Sequence, residues 1–200
     1  MKLTTRILCC LVLLATVTCW GQTERMVQGR SNSFPHSKDK SKAPDHGGKI
    51  ESRYDGFNHE TIVTLNKMRI TCGGVKGNFK DACISFVAAL HCPGIQLDYV
   101  RYVRLQLIFQ TKDWDQRHAL NQRQLSVVTD GETLRLGQMR LVSQSVDTLM
   151  TEVLEVDAPY AIFTKMVRAQ VVEMKVGETE FELRQQNLDA LRDLNNRVKF

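Results

Sequence analysis

Residues 102–110 constrain this chain more than any other stretch. Val103, Leu105, Leu107 and Phe109 alternate there with Tyr102, Arg104, Gln106 and Gln110. A period of two puts the first set on one face of a strand and the second set on the other. One face therefore packs on a core while the other meets water, the pattern of an antiparallel sheet. A helix would scatter the same side chains around its axis. Such a strand needs neighbours for its backbone groups, and the flanking segments supply them.

The stretch 61–71 is rich in β-branched residues and ends at Gly73-Gly74. Ile84, Phe86, Ala88 and Leu90 alternate with Ser85, Val87, Ala89 and His91 until Pro93-Gly94 stops the strand. Residues 124–136 read as a hairpin about Asp130-Gly131, because Asp-Gly accepts the positive φ angles of a type I′ turn. Strands are also expected over 138–145 and 151–156. A last hairpin is expected over 171–183, with Gly177 at the first position of a type II′ turn.

Two segments carry the helical period instead. Asp157-Ala158-Pro159 is expected to open a helix, Asp157 capping free N–H groups and Pro159 lying in the first turn. Phe163, Met166 and Val167 share its apolar face. Residues 185–198 form an amphipathic helix with a stripe of Leu188, Leu191, Leu194 and Val198. The strands and helices do not alternate as βαβ units. The fold class is therefore α+β: a mainly antiparallel, β-sandwich-like domain with one internal helix and a C-terminal amphipathic helix.

The organisation around that domain is read from composition. Residues 1–21 resemble an export signal: Lys2 and Arg6 precede the apolar run 7–15, well short of the ~20 residues a membrane span needs. Cleavage before Trp20 or before Gln22 fits the small-residue rule. Cys19 offers a lipid-attachment point, although Thr16-Val17-Thr18 lacks the usual Leu and the small residue beside the cysteine. Residues 22–53 are polar and read as a disordered linker, and 54–200 as a single β-rich globular domain. Much of the net charge of +5 lies in the signal and in 25–49. A solvated tether accounts for it, so no nucleic-acid partner is expected, and membrane contact only through lipid on Cys19. The expected compartment is extracytoplasmic, periplasmic or secreted, and oxidising.

That compartment changes how Cys72, Cys83 and Cys92 are read. Cys72 closes one strand and Cys83 opens the next, so a disulfide between them would seal the loop 73–82. A Cys72–Cys92 bridge stays open if the strands pair differently. Cys83 and Cys92 lie at opposite ends of one strand, beyond bridging distance. No cysteine or histidine pair has zinc-ligand spacing, so no metal and no cofactor is expected.

Catalytic constellations are weaker still. His118 sits in the polar loop 112–121, and Ser126, Asp115 and Asp130 could complete a hydrolase, but no nucleophile-elbow motif is present. Glu152 with Glu155, or Glu180 with Glu182, could pair as acid and base. The latter two flank Phe181 at strand spacing and read as a wet face. The segment Gly73-Gly74-Val75-Lys76-Gly77-Asn78 lacks a phosphate-loop register and reads as a flexible connection between strands. No residue is assigned as catalytic. The chain reads as an exported, non-enzymatic binding or structural module of the periplasm or cell envelope, meeting an envelope protein or polymer. Lys76, Phe79 and Lys80 of the loop 73–82, with Trp114, are its expected contact residues. The alternatives are a small secreted hydrolase using His118 with a nearby acid, and a lipoprotein assembly factor anchored at Cys19.

Overall fold

The alternating stretch becomes a central strand in a computed structural model that describes residues 45–113 and 117–198. The signal segment with Cys19, residues 22–44 of the linker, and Trp114 with Asp115 lie outside the described residues. In chain order the elements are β1 (Ile50–Asp55), β2 (Glu60–Cys72), β3 (Cys83–Pro93), β4 (Tyr102–Thr111), β5 (Gln124–Thr129), β6 (Glu132–Gln138), β7 (Arg140–Val146) and β8 (Met150–Ala158). Then come α1 (Tyr160–Arg168), β9 (Val172–Val176), β10 (Thr179–Glu182) and α2 (Gln185–Asn195).

The strands make two antiparallel sheets, a six-stranded one ordered β1-β2-β3-β4-β8-β7 and a four-stranded one ordered β10-β9-β5-β6. The chain is thus α+β and sandwich-like, as the alternation predicts. Val103, Leu105, Leu107 and Phe109 are all buried, and so are Ile84, Phe86 and Leu90 opposite them on β3. They join Leu125, Val127 and Met174 of the small sheet, Phe163 and Met166 of α1, and Leu188 and Leu191 of α2 in one core. Each such side chain contributes about 1.5–3 kcal/mol by leaving water. The other face of the large sheet carries Tyr102, Arg104 and Gln106, half-buried among their neighbours.

Both expected turns form. Asp130 and Gly131 have φ of 48° and 89°, as type I′ requires. The Asp130 carboxylate accepts hydrogen bonds from the backbone N–H groups of Gln170 (3.0 Å) and Val171 (2.9 Å), which ties it to the hairpin's neighbour rather than to a reactive site. Gly177 has φ of 58°, and its missing Cβ would stand 2.4 Å from the Gln122 carbonyl oxygen.

Three local expectations need correcting. Asp157 does not cap α1; it pairs with Arg104 within β8, and Pro159 precedes the first helical residue with no side-chain cap. The domain starts before residue 54: Ile50–Arg53 already belong to β1, whose polar residues hid an edge strand. Earlier still, the His46 ring lies 3.2 Å from Asp193, and Gln186 donates to the His46 carbonyl at 2.9 Å. Finally, α2 stops at Asn195, since Asn195 and Asn196 are poor helix formers, though Val198 beyond it is still buried.

Candidate functional site

The loop 73–82 was the expected contact surface, and its two anchoring cysteines do pair. Cys72 and Cys83 are opposite residues of β2 and β3 and form a disulfide with a Cα–Cα distance of 3.9 Å. Such a bridge belongs to an oxidising, extracytoplasmic compartment. No helix among the described residues is long and apolar enough to cross a membrane.

The loop is fastened rather than free. Lys76 and Glu180 exchange backbone hydrogen bonds of 3.2 and 3.1 Å, so the loop is tied to β10 by one antiparallel bridge. Gly77 has φ of 82°, and a Cβ there would stand 1.9 Å from the Glu178 carbonyl oxygen. Phe79 is buried, not presented to a partner: its ring stacks on His118 at 4.3 Å and meets Phe109 at 5.3 Å. Its φ of 64° is unusual for a bulky residue, and the core contacts hold it there. Of the expected contacts, Lys76 and Lys80 remain exposed, while Trp114 lies outside the described residues.

Lys76 also borders a groove of about 330 Å³ on the outer face of the small sheet, with Glu173, Lys175, Glu180 and Glu182. Lys175 bridges Glu180 at 2.6 Å and holds that carboxyl below its usual range, by hydrogen bond first and by charge second. Glu173 and Glu182 stand directly opposite each other. Glu180 and Glu182 thus sit on the wet face, as their spacing predicts.

The acid that His118 would need is present, and it is Glu152. Imidazole Nδ1 lies 2.6 Å from Glu152 Oε2, and the His118 backbone N–H donates to the same oxygen at 3.3 Å. On the far side of the ring, Nε2 lies 3.4 Å from Thr179 Oγ1. Hydroxyl, imidazole and carboxylate are connected in the order of a catalytic triad. All three are buried, however, His118 at 2% and Glu152 at 0% exposure. Ser126 and Glu155 are not part of this cluster. Among the described residues Glu152 Oε1 has no hydrogen-bond partner. The arrangement joins the loop 112–121, β8 and β10 in one internal clamp under Phe79 and Phe109.

A second polar array crosses the outer face of the large sheet. Glu60 Oε1 and the Tyr102 hydroxyl lie 3.0 and 3.1 Å from His91 Nδ1. Tyr102 stacks on His91 at 4.3 Å. Arg104 reaches the Tyr102 hydroxyl and forks onto Asp157 at 2.8 and 3.1 Å, which pushes the guanidinium pKa further up. Glu155 accepts from Gln106 at 2.6 Å and from Arg140. Burial raises the Tyr102 phenol, against the pull of Arg104, and its hydroxyl accepts from the Arg104 guanidinium. This array links β2, β3, β4, β7 and β8 across the outer face.

Cys92 points to the opposite face from His91, as adjacent strand residues must, and is free and buried. Burial, with the Asp98 and Glu60 carboxylates, pushes its thiol up to about 11. It should therefore resist iodoacetamide in the native protein and alkylate on unfolding in urea; mass spectrometry before and after urea checks this. Among the described residues no three His, Cys, Asp or Glu side chains converge as a metal would require.

At the same end of the large sheet as His91, two neighbouring loops expose large apolar side chains. Phe57, at the β1–β2 turn, is 98% exposed, and Ile95 and Tyr99 of the β3–β4 connection are exposed, as is Tyr54 of β1. The loops are fixed to each other: the Gly94 N–H donates to the His59 carbonyl at 2.7 Å, and the Thr61 hydroxyl donates to the Gly94 carbonyl at 2.7 Å. The Asp55 carboxylate accepts from the backbone N–H groups of Phe57 and Asn58, at 2.9 and 3.3 Å, holding the turn. The sequence reading missed this cluster. Its signal was available in Gly56-Phe57-Asn58 and Gly94-Ile95, large apolar residues set inside turn sequences. Comparison with protein-family models, with curated proteins and with solved structures finds no match for this chain.

Proposed function

We propose that this protein is an exported, non-enzymatic binding module of the periplasm or cell envelope, and that it meets a protein partner through the loop end bearing Phe57, Ile95, Tyr99 and Tyr54. The export reading rests on the basic-then-apolar segment 1–15 and on the disulfide. The binding reading rests on one observation: several large apolar side chains stand open on two loops that are pinned together. Exposed apolar clusters on a rigid support favour partner contact, and aromatic residues supply most of the energy at such surfaces.

This surface replaces the loop 73–82, which has its aromatic residue in the core. His118 and Glu152 serve stability in this reading. The test is co-purification from the native host with the wild-type protein and with Phe57→Asp and Tyr99→Asp. Each variant removes a solvated side chain, so folding should be unchanged, and each should lose at least ten times in recovered partner, about 1.4 kcal/mol or more. Equal recovery by wild type and both variants would overturn the proposed surface.

A further inference from the structure

The loop 73–82 is shut against opposing forces. Gly73, Gly74, Gly77 and Phe79 all have positive φ, at 74°, 71°, 82° and 64°. For Phe79 that backbone is strained, and such strain persists only where the surroundings impose it. Val75, Phe79 and Ala82 are buried, while Lys76, Gly77, Asn78, Lys80 and Asp81 are exposed. Beyond the Lys76–Glu180 bridge, Asn78 meets Glu178 and the Thr179 hydroxyl at 3.4 Å each. The ladder under the loop is weak as well. The β2–β3 register slips between Arg69 and Thr71, leaving Thr71 with Ile84 and Cys72 with Cys83 as the pairs beyond the slip. Phe79 covers His118, and His118 holds Glu152, whose buried Oε1 has no hydrogen-bond partner among the described residues. A carboxyl oxygen in that position gains free energy by reaching water. Strain, a slipped ladder and an unhydrated carboxyl all favour an open loop. Burial of Phe79 and the covalent bridge at the neck oppose them.

We infer that the loop 73–82 is a redox latch, shut by the Cys72–Cys83 disulfide and opened by a dithiol reductant. The bridge is placed for exchange. Cys72 is exposed and Cys83 half-buried, so an incoming thiolate meets Cys72 first. It bonds to the Cys72 sulfur, the S–S bond breaks, and Cys83 leaves as a thiolate. The second thiol of the reductant then attacks the mixed disulfide and releases the Cys72 thiolate. Two electrons pass to the protein, the two thiolates take up protons, and the reductant becomes a disulfide. Exposed disulfides are the ones that exchange in this way, whereas buried ones are inert. Once the bridge is gone, the open loop gains conformational freedom that the cross-link denied it. The ladder frays back to the slip, Phe79 leaves the His118 ring, and water reaches Glu152. The core of β3, β4 and α1 does not depend on the bridge and stays folded. Re-oxidation shuts the loop again.

The test is hydrogen exchange of the full chain in native buffer, before and after dithiothreitol and again after re-oxidation. Three amides report closure: Gly73, Lys76 and Ala82, which donate to the carbonyls of Ala82, Glu180 and Phe79. Reduction should speed their exchange at least tenfold and leave amides of β4 and β8 within twofold. Re-oxidation should restore the slow rates. Iodoacetamide on the reduced protein should label Cys72 and Cys83 and spare Cys92, as peptide mass mapping reads. The variant Cys72→Ser/Cys83→Ser should exchange like the reduced protein without any reductant. Three results overturn the inference. One is a disulfide that dithiothreitol leaves intact unless denaturant is added. Another is a reduced protein, or double variant, whose three reporter amides stay slow. The third is loss of protection across β4 and β8 in either, which would make the bridge a support of the whole fold.

Discussion

His118→Ala should cost this protein about 3–5 kcal/mol of stability, from a buried polar group left without its partner and from the space the lost ring leaves in the core. The substitution leaves the Glu152 carboxyl buried with Oε2 stripped of its imidazole partner and Oε1 without a partner among the described residues. It also removes a ring that stacks on Phe79 at 4.3 Å and meets Phe109 at 4.6 Å. For a domain of this size the melting temperature should fall by about 6–20 °C. The double variant His118→Leu/Glu152→Leu should recover most of that loss, because well-packed apolar residues replace a buried pair at little cost. A double-mutant cycle in urea measures the coupling directly. Were the pair catalytic and exchangeable, single substitutions would remove turnover and leave stability nearly intact. The burial of both residues argues for the opposite outcome.

Gly77→Ala should be the second large effect, at about 3 kcal/mol. The backbone at φ of 82° is left-handed, where an alanine is strained by ~1–2 kcal/mol. A Cβ would also stand 1.9 Å from the Glu178 carbonyl oxygen, and relieving such a clash costs ~1–3 kcal/mol more. The obstacle is backbone, so no side-chain rotation removes it. Movement there would pull the loop off β10 and disturb Phe79. Gly74→Ala is the control: its φ is 71° and nothing lies within 4 Å of the added Cβ, so only the backbone strain of ~1–2 kcal/mol should appear. Thermal unfolding of the two variants side by side separates the clash from the strain.

The strands were legible because a period of two survives wherever one face is buried. β4 is the clearest instance, its pattern in sequence matching its burial residue by residue. The Asp130-Gly131 and Gly177-Glu178 turns were legible because only certain residues accept their φ angles. β1 was not, since an exposed edge strand buries neither face and Glu51, Ser52 and Arg53 look like linker. Asp157 was misread because a residue suited to capping is equally suited to pairing with Arg104, and only the sheet register shows which it does. Phe79 sat in a glycine-rich segment that suggested mobility. Its burial depends on His118 and Phe109, residues 39 and 30 positions away in the chain. The pairing of His118 with Glu152, and the meeting of the Phe57 turn with the Ile95 loop, are likewise products of strand order, which periodicity does not encode.

The central claim is that the loop end of the large sheet is the working surface. Photo-crosslinking in the native host tests it most directly, with a photoreactive residue placed in turn at Phe57, Ile95 and Tyr99, and at Glu132 and Glu173 as exposed controls elsewhere. The account predicts one discrete adduct shared by the three loop positions and absent from both controls. No adduct at the loops, or the same adducts at Glu132 and Glu173, would contradict it.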